Sequence, residues 1–291
     1  MEPVMLTSRT SDGHLLTASF LPAKGMNMVS FKKDDQEVID QKTRSAFEAR
    51  FAGLGALIGP HFHRRKVETL PSIKEEQLFP HIANMKAYGS EDPFSHGIAR
   101  YAPWKFEATQ TMIRGTLSGK DLWNEVSLAD LEGQQFQMSF SAEFKEERLN
   151  IALSVVSEKD SVVGLHYYYK LPEGKGKVAS RVQKHYLENS QRLVIPAEWE
   201  YDDQQLLTLS LAERAYDCTF HSFPNPLESE ILLENEEYSL KVKCESDTQE
   251  NAWQLYHPEK ASFVCIEPIS AQDPRHPNLT VSALRVQLEI L

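Results

Sequence analysis

Positive charge is in short supply. Of 291 residues, 31 are Lys or Arg and 42 are Asp or Glu, a formal net charge of −11 at pH 7. Nucleic-acid binding draws on clustered cations that release counterions, so this balance argues against a phosphate backbone as partner. Long apolar runs are lacking too: none approaches the roughly 18–20 residues that span a bilayer, which speaks against a membrane protein. The opening stretch MEPVMLTSRTSDGH has no basic region followed by an apolar one, the mark of a secretory signal. Cysteine is scarce. Cys218, Cys244 and Cys265 are odd in number, scattered and without C-x-x-C spacing. That pattern fits buried thiols in a reducing compartment and neither a disulfide framework nor a zinc site. Internal repeats, low-complexity tracts and Gly/Pro/Ser-rich linkers are missing, and no stretch beyond 44–51 suggests an amphipathic helix. The expectation is an acidic cytoplasmic protein with one domain over 1–291, and nothing demands more than a monomer.

What is abundant is alternation. Phe136, Met138, Phe140, Ala142 and Phe144 alternate with Gln, Gln, Ser, Ser and Glu, which places one face of a strand in a core and the other in water. After a charged turn at 145–148 the pattern resumes on Leu149, Ile151, Leu153 and Val155, so the two runs predict an antiparallel hairpin. Tyr238, Leu240, Val242 and Cys244 alternate in the same way, as do Leu284, Val286, Leu288 and Ile290. Shorter strands are expected at 14–20, 27–31, 105–110, 112–117, 162–170, 206–211 and 262–266, with long loops at 79–94 and 221–226. A dozen or more strands without helical crossovers predict an all-β fold, a large antiparallel β-sandwich, with its chemistry on long loops at the sheet edges.

Five segments interrupt this pattern: Gly59-Pro-His-Phe-His-Arg-Arg65, 94–104 around His96 and Arg100, Gly164-Leu-His-Tyr-Tyr-Tyr-Lys170, 216–220 around Asp217, and Phe263-Val-Cys-Ile-Glu267-Pro-Ile. Taken singly, each has a plain structural explanation. A histidine in an aromatic strand is more often a hydrogen-bonded core residue than a catalyst. Glu267 could be the first solvated residue after a strand, Asp217 is an ordinary turn residue, and His61 and His63 share a strand face whether they pack or bind.

Their order carries more. His96-Gly-Ile-Ala-Arg100 followed by Trp104, then His166 among aromatics, Asp217-x-x-Phe220 and Cys265-Ile-Glu267-Pro268 resemble the aldose 1-epimerase (galactose mutarotase-like) family. The HGxAR spelling is most similar to its hexose-6-phosphate mutarotase branch. The likeness runs from the strand at 14–20 to the last strand. It implies a mutarotase-like supersandwich and interconversion of α and β anomers of an aldohexose, free or phosphorylated, by ring opening and closure. In that chemistry a base takes the anomeric hydroxyl proton while an acid on the opposite side protonates the ring oxygen, with no metal or cofactor.

By the same resemblance Glu267 is the base and His166 the acid. His96 and Asp217 bind sugar hydroxyls, Arg64 or Arg65 supplies a sugar-contacting arginine, and Arg100 joins a cationic pocket for a 6-phosphate. Trp104 or Tyr168 lies against the sugar's apolar face, Glu267 is ionised and His166 protonated. Two features depart from the family pattern: His166-Tyr-Tyr-Tyr replaces its usual His-Pro-Tyr-Phe, and His61 and His63 enrich the arginine segment. A non-catalytic carbohydrate-binding protein on the same fold is the first rival. The second is a cupin-like metal enzyme. Gly55, His61-x-His63 and Glu68 are similar to that family's first metal motif, although position 75 is Glu where the motif needs Gly.

Overall fold

The 136–155 alternation becomes a hairpin whose register is set by its turn. The strand Phe136–Lys145 buries Phe136, Met138, Phe140, Ala142 and Phe144 and exposes or half-exposes the residues between. It pairs antiparallel with Arg148–Ser161, from Phe136 opposite Ser157 to Lys145 opposite Arg148. That leaves Glu146 and Glu147 as a two-residue loop, both with positive φ (51° and 66°), the twist-compatible way to join two strands so tightly. The computed structural model describes residues 2–212 and 214–291.

Two antiparallel layers build outward from such pairs. One runs, neighbour by neighbour, through Val4–Arg9, Leu15–Leu21, Asn27–Lys33, Gly55–Ile58, Gly164–Lys170, Phe263–Ile269, Ala252–His257 and Tyr216–Ser222. The other runs through Lys105–Ala108, Met112–Ser118, Phe136–Lys145, Arg148–Ser161, Leu279–Ile290, Ser239–Glu245 and Glu228–Glu234. The strand Lys177–Glu188 belongs to both. Its first half pairs with Glu228–Glu234 and Leu206–Ser210, and after a register shift between Val182 and Tyr186 its second half pairs with Tyr216–Ser222. Twenty strands thereby join into one hydrogen-bonded sheet folded over its own core, an arrangement in which each apolar face finds a partner face.

The expected all-β sandwich is therefore what forms, and all three cysteines are free and buried. One expectation needs correction. The segment 79–94 is no continuous loop, because Pro80–Ala87 is an α-helix. Pro80 at its first turn suits a helix start, and the burial of only His81, Ile82 and Met85 leaves too sparse a stripe to read from sequence. A ring of Phe79, Phe94, Tyr101 and Trp123 surrounds His81 and secures the helix instead. A second short helix, Leu128–Glu132, is capped by the Ser127 side chain. The long strand Lys177–Glu188 was also invisible in the alternation, since its inward residues include Ser180 and its register shifts midway. No helix among the described residues is long and apolar enough to cross a membrane.

Phe140 joins the layers: it is buried and packs edge-on against Phe20 (5.7 Å) and Trp104 (6.3 Å). Phe140→Ala should lower stability by about 3–5 kcal/mol, read as a shifted midpoint in urea denaturation.

Candidate functional site

Antiparallel pairing places side chains of adjacent strands side by side, and strand periodicity keeps every second residue on one face. Four neighbouring strands use this to build a polar floor on the first layer. The pairing Tyr167–Ile266 sets His166 beside Glu267, and Glu267 pairs with Gln254, which pairs with Thr219. The adjoining row, two residues along, is Tyr168, Cys265, Tyr256 and Asp217. His166, Tyr168, Glu267, Gln254, Tyr256 and Asp217 all line a cavity of about 240 Å³. A larger cavity of about 350 Å³ opens beside the register shift near Gln183 and His221.

Glu267 ends up far from solvent. It is 1% exposed on a strand that continues buried to Ile269, so it is not the solvated residue at a strand end. Its Oε1 lies 3.4 Å from His166 Nε2. Glu267 Oε2 and His166 Nδ1 are buried and have no hydrogen-bond partner. The His166 ring stacks on Tyr168 (4.9 Å between centroids, 11° between planes) and meets the His96 ring edge-on at 5.0 Å.

Burial pushes the Glu267 carboxyl well above the usual carboxylate range, helped by the Asp217 charge and only partly opposed by Arg100. Burial, with the Arg100 charge, pushes the His166 imidazole well below its usual value. Both shifts disfavour the charged forms, away from the expected ionised Glu267 and protonated His166; a neutral pair and an ion pair hold the same single proton, because the two groups titrate together.

The loops over the cavity are held from behind by a buried charge cluster. Asp92 accepts from Arg65 Nη2 (2.9 Å) and Nε (3.1 Å), from the Arg65 backbone N–H (2.8 Å) and from the Phe94 N–H (3.0 Å). Glu132 meets His61 Nδ1 at 2.6 Å and accepts from the Ile98 N–H at 3.1 Å. Although burial works against its ionisation, the nearby His61 imidazole and the hydrogen bonds from Arg65 hold the Asp92 carboxyl far below the usual range. These contacts fasten the 59–65 and 92–100 segments together. His96 adopts a left-handed conformation (φ 69°) and Gly97 follows at φ 92°. A Cβ on Gly97 would stand 2.0 Å from the Gly59 carbonyl oxygen, so only glycine fits there.

The arginine segment thus divides its labour. Arg64 is exposed and lines the cavity, whereas Arg65 turns inward to Asp92 and takes no part in the lining. His96 and Asp217 line the cavity as expected. Asp217 accepts from Gln254 Nε2 and has Arg275 at 4.0 Å. Arg100 is buried in the cavity wall, its Nε donating 2.5 Å to the Phe51 carbonyl, and its charge acts on the His166–Glu267 pair. Tyr168 lines the cavity, but Trp104 does not: it is buried and donates to the Ala99 carbonyl at 3.0 Å.

The cupin-like triad is not assembled. His61 points into the Glu132–Asp92 cluster, His63 faces the cavity, and Glu68 is exposed on a short 3-10 turn. Positive φ at His63 (62°) breaks the straight strand that would have kept the two imidazoles together.

Residues that the sequence did not single out complete the lining. Gln254 and Tyr256 alternate with Trp253, Leu255 and His257, a strand signal present but short. Arg50 closes the helix Arg44–Arg50, at the 44–51 stretch the sequence suggested, and Arg275 stands on a loop with no periodic signal; Arg50 lies 3.8 Å over the Tyr88 ring.

The sequence matches no family model and no curated protein. Several solved structures do match over nearly their whole length. The protein Slr1438 from Synechocystis sp. PCC 6803 superposes with TM-score 0.67 at 17% identity, covering 100% of this chain and 96% of its own. A galactose mutarotase related enzyme from Lactobacillus acidophilus gives 0.65 at 15%, covering 99% and 97%. The fold is galactose mutarotase-like. A galactose mutarotase-like protein from Lactobacillus casei ATCC 334 agrees, with TM-score 0.64 at 12% identity over 99% of both chains. At such identities the likeness concerns the sandwich itself, and the site must be argued from its own residues.

Asp92→Asn removes the counter-charge of buried Arg65 and should cost about 3–5 kcal/mol at neutral pH. Because the folded Asp92 pKa is depressed, this stabilisation is present above the ordinary carboxylate pKa of 3.8 and is lost as pH falls below it. Thermal denaturation of both proteins should therefore show a gap at pH 7 that narrows below about pH 4.

Proposed function

We propose that the protein is an aldose 1-epimerase that interconverts the α and β anomers of an aldohexose. The observation that carries this reading is the His166–Glu267 pair: two titratable groups 3.4 Å apart, buried on a cavity wall, each with an unpartnered atom. The expected arrangement on opposite sides of the anomeric centre gives way to a side-by-side one. That suffices, because the anomeric hydroxyl and the ring oxygen hang from the same carbon.

With one proton on the pair, Glu267 protonates the ring oxygen while His166 takes the anomeric proton, and the C1–O5 bond breaks to leave an aldehyde. The pair is then Glu267 carboxylate beside His166 imidazolium, a state that closeness and the surrounding burial keep short-lived. Rotation about C1–C2 presents the other carbonyl face, O5 attacks it, and both protons return along the same paths. Starting from the ion pair, the same steps run with the roles exchanged: Glu267 takes the anomeric proton while His166 protonates the ring oxygen. No cofactor is needed. His96, Asp217 and Gln254 line the cavity at positions suited to sugar hydroxyls, and Tyr168 offers a flat apolar surface.

The substrate class we favour is a hexose 6-phosphate. Arg50, Arg64 and Arg275 share the lining of the same cavity, and guanidinium groups match phosphate oxygens. Arg100, the expected phosphate partner, lines this cavity with them and also favours the Glu267 carboxylate.

Three outcomes are expected, measured by magnetisation-transfer NMR of anomer exchange. Glu267→Gln and His166→Asn should each slow exchange by about 10²–10⁴-fold in folded protein; wild-type rates in either would remove that residue from the reaction, and sugar binding without exchange in the wild type would make the protein a carbohydrate-binding relative. Arg64→Ala should raise KM for glucose 6-phosphate by about 10–100-fold and that for glucose far less; equal losses would defeat the phosphate assignment. The rate should be bell-shaped in pH. It falls on the acid side as His166 takes a second proton, below its usual 6.5, and on the alkaline side as Glu267 gives up the first, well above its usual 4.5.

A further inference from the structure

Cys265 has no part in the reaction above, yet it stands in the adjoining row of the floor, two residues from Glu267 on the same strand face. One ligand atom each from His166, Cys265 and Glu267 lie within 4.8 Å of one another, the one such group of three among the described residues, and all three residues are buried. We propose that these three side chains form a binding site for a thiophilic divalent cation of the zinc type, and that its occupation switches the reaction centre off. The binding stands on the geometry alone; the inhibition rests on the acid–base reading of the same pair.

Distances favour it. A tetrahedral zinc with Zn–S near 2.3 Å and Zn–N or Zn–O near 2.0–2.1 Å needs ligand atoms about 3.3–3.6 Å apart. His166 Nε2 and Glu267 Oε1 are already 3.4 Å apart, and the three ligand atoms, all within 4.8 Å of one another, need to close by no more than about 1.5 Å. A fourth position faces the cavity, which His166 and Glu267 line, and water or a sugar hydroxyl could take it.

Charge permits it too. A dication with one thiolate and one carboxylate is neutral overall, so nearby Arg100 meets no added positive charge. The donor set of thiolate, imidazole and carboxylate selects zinc-like cations over magnesium or calcium, which prefer all-oxygen shells. On binding, the thiol proton and the single proton of the His166–Glu267 pair leave to solvent and three metal–ligand bonds form; no electron moves. Without a cation, burial keeps the Cys265 thiol protonated. With one bound, neither His166 nor Glu267 can exchange a proton with sugar.

The test uses tag-free, metal-stripped full-length protein and the metals alone. Calorimetry with zinc chloride should give one site, which magnesium chloride does not fill. Cobalt chloride should give a sulfur-to-cobalt absorption band in the near ultraviolet. Cys265→Ser should lose that band and bind zinc about 100-fold or more weakly, while Cys218→Ser, outside the site, should keep both. Glu267→Gln provides a second disruption, with circular dichroism verifying that each variant is folded. Absence of zinc binding, absence of the cobalt–sulfur band, or zinc affinity unchanged in Cys265→Ser would each overturn the site. Where the wild type exchanges anomers, saturating zinc should abolish the exchange and EDTA restore it; exchange undisturbed by bound zinc would overturn the inhibitory role. If the cobalt–sulfur band is present while metal-free protein exchanges no sugar, the metal site stands and the epimerase reading fails.

Discussion

The site depends on one constraint: the in-register pairing of Gly164–Lys170, Phe263–Ile269, Ala252–His257 and Tyr216–Ser222. A slip of one residue in any pair would send an entire row of side chains to the opposite face. The register is held because the opposite face of these strands is apolar: Leu165, Tyr167, Ile266, Trp253, Leu255, Cys218 and Phe220 are buried in the core. Hydrophobic burial on one side of the sheet thus supplies the precision with which polar groups are placed on the other.

That precision comes with full desolvation, and desolvation governs the chemistry. An exposed glutamate and histidine would be ionised independently near neutrality. Buried side by side, they share one proton, and the energetic gap between the neutral and ionic arrangements becomes the quantity the protein tunes. Arg100 is the tuning group. It favours the carboxylate of Glu267 and disfavours a charged His166, so it opposes the neutral pair at one end and supports it at the other.

The loops above the floor obey a different rule. No ladder fixes them, and their positions come from a buried set of charges, Asp92 and Glu132 against Arg65 and His61. Such groups are costly to bury and are retained only when paired. Here the pairing fixes where Arg64 and His96 stand: Arg65 and His61 are their inward-facing neighbours in the chain, and Glu132 holds the backbone just after His96. The division of Arg64 and Arg65 into surface and interior roles is a consequence of this cluster.

The amino-acid sequence by itself determined the layers, since strand periodicity at Phe136–Lys145 and Leu279–Ile290 is a local property that burial on one face imposes residue by residue. It also pointed to His166, Glu267, His96 and Asp217, through the order of motifs that resembles the aldose 1-epimerase family, since each residue alone had a plain structural explanation. Tertiary structure alone decided what pairing across distant strands brings together. Gln254 and Tyr256 join the floor through partners more than thirty residues away, Cys265 meets His166 across a strand boundary, and Arg275 arrives from a loop with no periodic signal. Tertiary structure alone also decided electrostatics and direction: burial disfavoured the charged forms of Glu267 and His166, Asp92 drew Arg65 inward, and the left-handed turn at His63 parted it from His61. Those outcomes depend on solvent exclusion and on charges contributed by remote segments, neither of which a one-dimensional pattern contains.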